Sequence, residues 1–261
     1  MARPVVALLT DFGLHDHYVG TMKGVVLSVC PDASIVDITH DVAPQDIPGA
    51  ALELAAAYRY FPPGTVFLVV VDPGVGSSRR AIAAEGGGYY FVGPDNGVFA
   101  AAFRESPPSL VVELTEQKYA RSTISRTFEG RDRFAPAAGW IARQTPLAAF
   151  GPAIADYATF DFAAPVISAD TVRGEVVRID RFGNLITNIS AGMIDARTAA
   201  HAAAGDRVNI PVVRTYAETQ PGDVCALVGS TGHLEIAVNG GNAAETLALS
   251  RGAQVSVSTR Q

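Results

Sequence analysis

Apolar residues follow two rhythms along this chain. Up to about residue 160 they form short, nearly unbroken runs: VVALLTD (5–11), SIVDIT (34–39) and TVFLVVV (65–71). Between the runs, Tyr18 to Val29 and Ile47 to Tyr60 carry apolar residues at helical spacing, the second ending at Phe61-Pro62-Pro63-Gly64. Strands that do not alternate are buried on both faces, so this βαβαβ order predicts a mostly parallel sheet covered by helices. AIAAEGGGYYFVGPDNG (81–97) reads as a hairpin turning at Gly86 to Gly88, and Arg131 to Arg143 as a later helix.

From about Thr171 the rhythm changes. GEVVRIDRFGNLITNI, RVNIPVVRTY, CALVG, HLEIAVN and AQVSVST are short alternating segments separated by Gly, Asn and Asp. They predict a smaller all-β, barrel-like domain over 171–261, after an α/β domain over 1–160, with FDFAAPVISAD (160–170) as linker. Alternation puts His233 and Glu235 on the outer surface of a hairpin.

Composition narrows the partners. Of 261 residues, 48% are hydrophobic and 18% charged, and 20 basic against 26 acidic residues leave a net charge of -6. No basic cluster exceeds a pair, so nucleic acid is not an expected partner. No apolar run approaches the roughly 20 residues that span a bilayer, and MARPVVALLTDFG reads as a first strand, not a signal peptide. Cys30 and Cys225 sit in apolar sequence and fit no metal spacing, which suits buried free thiols in a reducing cytoplasm. The five histidines form no HxxxH or HExxH pair, and no metal site is expected.

Three predicted strands end in polar groups: Asp11, Thr39-His40 and Asp72. Open α/β sheets bind ligands beyond the carboxyl ends of their strands, so three such tips on one rim predict a pocket. The third strand runs into DPGVGSSRR, whose glycines allow a sharp return, so Asp72 and Arg79 can face one cavity. That loop lacks the Lys-Ser/Thr of a P-loop, and neither GxGxxG after the first strand nor GxSxG occurs.

Taken in order, TDFG (10–13), DPGVG (72–76), GPDNG (93–97), FEGRDRFAP (128–136), DRFGNLITNI (180–189) and GSTGHLEIAVNGGNAA (229–244) resemble one family over nearly the whole chain. It is the S-adenosylmethionine (SAM) hydrolases, or SAM hydroxide adenosyltransferases, relatives of SAM-dependent fluorinating and chlorinating enzymes. The resemblance implies a homotrimer with SAM between neighbouring subunits, and water displacing methionine at the ribose C5′ to leave adenosine. No cofactor is implied, since SAM carries its own activated leaving group.

The same resemblance assigns residues. Asp72 and Arg79 would hold the attacking water, with Arg80 solvated or structural. Halogenating relatives carry an aromatic residue in place of Asp72, so hydrolysis is expected here over the chlorinase alternative. Family hydrolases usually read Phe-His-Gly-Arg-Asp where this chain has Phe128-Glu129-Gly130-Arg131-Asp132. Glu129 is then either a replacement base or a partner that orders Arg79; a weakly catalytic SAM- or adenosine-binding protein is the remaining alternative. Asp11 would grip the ribose hydroxyls, and Asp180, Phe182 and Asn184 the methionine ammonium and the adenine. Tyr216 would pack on adenine, Ser230 and Thr231 would meet the methionine carboxylate, and backbone from Val238 through Gly240 would meet the adenine edge. Thr231 stands where fluorinating relatives have Arg.

Overall fold

A computed structural model describes residues 3–194 and 199–259; the extreme ends of both expected domains lie outside the described residues. The chain divides into two compact units, 1–161 and 162–261.

The first unit is built on β1 (Val5–Thr10), β2 (Ser34–Thr39), β3 (Val66–Val70), β4 (Ala81–Gly86), β5 (Tyr89–Pro94) and β6 (Pro108–Glu113), in the order β2-β1-β3-β5-β4-β6. Pairings β1–β2, β1–β3 and β3–β5 are parallel, while β4 runs antiparallel to both β5 and β6. The sheet is therefore mixed: the 81–97 hairpin, turning at Gly87 and Gly88 with φ of 60° and 83°, brings in antiparallel strands at one side. Helices α1 (Tyr18–Val29), α2 (Ile47–Ala57), α3 (Ala100–Glu105) and α4 (Ala135–Ala142) cover it.

Both faces of the central strands β1 and β3 are buried, which accounts for their unbroken apolar runs, while edge strand β2 is only partly covered. Val6, Leu8, Val66, Leu68 and Val70 pack in one core with Met22 and Val26 of α1 and Ala138 of α4. Their neighbours Ala7, Leu9, Phe67 and Val69 pack in the other, with Leu54 of α2 and Phe103 of α3. Asp46 caps α2, its Oδ1 accepting from Gly49 N at 3.1 Å, and Pro48 occupies the first turn, where no N–H is missed.

The second unit is antiparallel. Its strands are β7 (Val166–Ile167), β8 (Thr171–Ile179), β9 (Leu185–Ser190), β10 (Ala199–Ala204), β11 (Arg207–Pro211), β12 (Val224–Val228), β13 (His233–Val238) and β14 (Gln254–Thr259). They pair in the order β11-β10-β14-β8-β9-β13-β12, with β7 on β8. A lone parallel bridge from Val212 to Ala226 nearly closes this sheet into a barrel around Val176, Leu185, Leu234, Ile236 and Val257. The short helix α5 (Ala243–Leu247) follows β13.

Candidate functional site

In the first unit the carboxyl ends of the parallel strands form one rim. Thr10 is in register with Val70, and Leu9 with Thr39, so Asp11, His40 and Asp72 lie one or two residues beyond adjacent strand tips. Behind the rim, buried His40 joins the strands: its Nδ1 is 2.8 Å from Thr10 Oγ1, and its Nε2 is 3.0 Å from Asp37 Oδ1. The His40 carbonyl accepts from Gly13 N at 2.8 Å, which fixes the loop that starts at Asp11. The Asp11 carboxylate accepts from Gln45 N at 2.8 Å through Oδ2, and its oxygens retain the capacity to accept further donors.

The loop after β3 returns sharply. Gly76 has φ +77°, and a Cβ there would lie 2.3 Å from the Arg126 carbonyl oxygen. Glycine is thus required twice over, by the backbone conformation and by the close approach of the segment that leads to Glu129.

That approach assembles the cluster. Arg79 Nε donates to Asp72 Oδ1 and Oδ2 at 2.9 and 3.1 Å, and Nη2 donates to Oδ2. Its Nη1 donates to Glu129 Oε2 at 2.9 Å, and the guanidinium lies 5.3 Å from the Phe134 ring centre. The side chains of Asp72, Arg79 and Glu129 are 5%, 10% and 13% exposed. Burial works against the Arg79 charge, but hydrogen bonding to Asp72 and the charges of both carboxylates outweigh it and raise its pKa above the ordinary value. Arg133 Nε lies 3.6 Å from Glu129 Oε2, so the charges run carboxylate, guanidinium, carboxylate, guanidinium.

Glu129 sits just before a π-helical turn, Gly130–Phe134, that leads into α4. Fully buried Asp132 anchors the turn: its Oδ1 accepts from Arg131 Nε at 2.7 Å and its Oδ2 from Ser125 N at 2.8 Å. Burial opposes its charge, yet these bonds hold its pKa below the ordinary range. Phe128 packs against Tyr18 and Phe12, tying the Glu129 loop to the loop after β1. Arg80 is structural: it bonds Asp95 Oδ2 at 2.8 Å and Asp156 Oδ1 at 2.7 Å.

The second unit gathers the other expected residues at turns. Asp180 Oδ1 accepts from Phe182 N and Asn184 N, both at 2.9 Å, and Oδ2 accepts from Asn184 Nδ2 at 2.9 Å. Asp180 and Asn184 therefore build their own turn first; each carboxylate oxygen can still accept another donor. Phe182 projects from that turn with 75% exposure. Gly183 packs on Asn242, whose Oδ1 would lie 2.0 Å from an added Cβ, so this turn abuts the Val238-to-Gly241 turn. Gly240 has φ +71° and is exposed, whereas the Val238 side chain is core and offers only backbone.

Tyr216 donates its hydroxyl to Glu235 Oε1. Glu235 is buried, not on the outer surface that strand alternation predicts, because Cys225, Leu227 and Ala237 make that face a second small core. Ser230 is exposed and Thr231 half-buried on the turn joining β12 to β13. The cluster of Asp72, Arg79 and Glu129 and the pair of Asp180 and Asn184 are thus each brought together, while Tyr216 meets Glu235, a residue of the 229–244 motif to which the sequence assigned a place on the hairpin surface and no role in the site.

Residues 6–151 match the SAM hydroxide adenosyltransferase N-terminal domain, and residues 174–256 match the C-terminal domain of the same name. The chain belongs to the SAM hydroxide adenosyltransferase family. It is 41% identical to a protein of Thermus thermophilus named (R)-S-adenosyl-L-methionine hydrolase, across 97% of this chain and 98% of that one. A protein of the same name from Salinispora tropica is 37% identical across 97% of each chain, and a fluorinase from Actinoplanes is 29% identical at the same coverage. A crystal structure of an uncharacterized conserved protein from Thermotoga maritima superposes with a TM-score of 0.92 at 36% identity, covering 97% of this chain and 99% of its own. In this family member, no helix among the described residues is long and apolar enough to cross a membrane, and no group of three or more His, Cys, Asp or Glu is placed to hold a metal.

Proposed function

We propose that this chain is a SAM hydrolase, forming adenosine and L-methionine. The observation that carries the reading is the full-length kinship to the Thermus and Salinispora hydrolases, in a chain that ends β3 with a buried carboxylate, Asp72. A water oxygen forms a bond to C5′ as the C5′–sulfur bond breaks. The bonding pair goes to sulfur, so methionine departs as a neutral thioether, and the water gives up one proton. Asp72 accepts that proton and passes it to solvent. Arg79 holds the Asp72 carboxylate in one orientation through its paired bonds. Glu129 ties down the far end of Arg79, which supports the ordering role over that of a replacement base.

Asp11 takes the ribose diol in this reading, and Asp180, Phe182, Asn184, Tyr216, Ser230, Thr231 and the Val238 to Gly240 backbone take adenine and methionine. The family resemblance carries the assembly we propose, a homotrimer with sites between subunits, in the cytoplasm. The sulfonium supplies the activation, so the chemistry calls for no cofactor. Incubating the protein with SAM in oxygen-18 water tests the reading. Labelled adenosine lost in Asp72→Ala supports it; SAM binding without adenosine above background overturns it and leaves a binding protein.

A further inference from the structure

A buried carboxylate at an apolar face is costly unless its oxygens are used. Glu235 is 5% exposed, on a face of β12 and β13 that otherwise presents Cys225, Leu227 and Ala237. A leucine there would continue the core, so what the carboxylate touches decides why it is present. One oxygen, Oε1, accepts from the Tyr216 hydroxyl. The other lies against Gly229, where an added Cβ would be only 2.1 Å from Oε2. Gly229 opens the turn that carries Ser230 and Thr231, closed by Gly229 N to His233 O and Gly232 N to Gly229 O, each 2.9 Å.

We infer that Glu235 is a positioning residue for substrate binding, one carboxylate that holds the Tyr216 ring and seats the Ser230-Thr231 turn. This rests on the proposed function, in which those groups, and not Glu235, touch SAM. Tyr216 is 39% exposed on a single turn of 3₁₀ helix, so the hydroxyl anchor is what keeps its ring in one place. Burial, with the nearby Asp180 charge, raises the Glu235 pKa above the ordinary value even though the Tyr216 bond works the other way. Tyr216 is pushed up in turn, so the phenol remains the donor of the pair.

Three variants of the full chain test this, read by SAM affinity in calorimetry and by KM and kcat for adenosine release. Glu235→Leu removes the hydroxyl anchor and the packing of the carboxylate on Gly229, and KM and Kd for SAM rise about tenfold, since the freed Tyr216 ring must now be ordered on binding and the turn loses the neighbour it rests on. Its kcat stays within about threefold, because Asp72 and Arg79 hold the reacting atoms. Tyr216→Phe cuts the ring anchor alone and gives a smaller rise, about threefold. Glu235→Gln keeps an acceptor oxygen for the tyrosine and restores affinity to within about threefold of the parent. Unchanged SAM affinity in Tyr216→Phe, or a fall in kcat at constant KM in any of the three, overturns the inference; Tyr216→Phe and Glu235→Gln decide if Glu235→Leu does not fold. Parent protein that binds SAM without releasing adenosine refutes the reaction alone, and the Kd series then still decides the role of Glu235. Parent protein that does not bind SAM overturns both.

Discussion

Replacing Asp72 by Asn keeps the shape of the side chain and removes the charge that faces Arg79. In the parent, Arg79 Nε lies 2.9 and 3.1 Å from the two Asp72 oxygens, and both side chains are at most 10% exposed. Removing one partner from a buried, bidentate pair costs about 3 kcal/mol, because the guanidinium stays buried with fewer acceptors. Glu129, still 2.9 Å from Nη1, limits the loss and keeps the arginine in place. At roughly 2–4 °C per kcal/mol for a unit of this size, the melting midpoint falls by about 6–12 °C. Adenosine formation falls by about 10²–10⁴-fold, the usual contribution of a positioned acid-base group.

Asp72→Asn also changes which nucleophile is admitted. A carboxylate about 4 Å from an entering anion opposes it by about 4 kcal/mol at an effective dielectric near 20, close to a thousandfold against chloride. Without that charge, Arg79 attracts the anion. The assay is chromatography with mass detection after incubation with SAM, with and without molar chloride. The expected result is little adenosine from Asp72→Asn and a 5′-chloro nucleoside that appears only with chloride. Adenosine formation within about threefold of the parent, in a variant that melts at the parent temperature, would refute both the pairing energetics and the placement of the water.

Glu129→Gln weakens the outer hold on Arg79; kcat is expected to fall about tenfold with KM within threefold, measured by initial rates, since the group acts on the arginine and not on bound SAM. Gly76→Ala forces a Cβ to within 2.3 Å of the Arg126 carbonyl at a φ of +77°; a loss of about 2–4 kcal/mol in urea unfolding and a parallel loss of activity are expected. Asp132 is held below the ordinary 3.8, so its contribution is fully present above that value and is lost as pH falls through the lowered one. Acid unfolding followed by circular dichroism should therefore begin at higher pH in Asp132→Asn, with about 2–4 kcal/mol already missing at neutral pH.

What the sequence made legible and what it hid differ by whether one rhythm sufficed. Strand Val66–Val70 and helix Tyr18–Val29 are found within a residue of where the pattern puts them, because two-sided burial and helical spacing leave strong marks. β10 carries no such mark: Ala199–Ala204 is alanine-rich, with neither β-branched residues nor alternation, and it is a strand because β14 and β11 flank it. The cluster of Asp72 and Arg79 was legible from a strand tip and a glycine return, local features of one loop. That Glu129 meets Arg79 is a contact across 50 residues, and only the motif resemblance pointed to it. Glu235 departs from the surface position expected of it for a physical reason. Alternation in HLEIAV assigns odd positions to solvent on the assumption that a barrel wall has one wet face. Here Cys225, Leu227 and Ala237 make that face dry, with Val213 packed against them. Register then places Glu235 opposite Leu227 inside a second core. An ionisable group in such a position owes its place to its partners, Tyr216 and Gly229, which the spacing of residues along β13 cannot reveal.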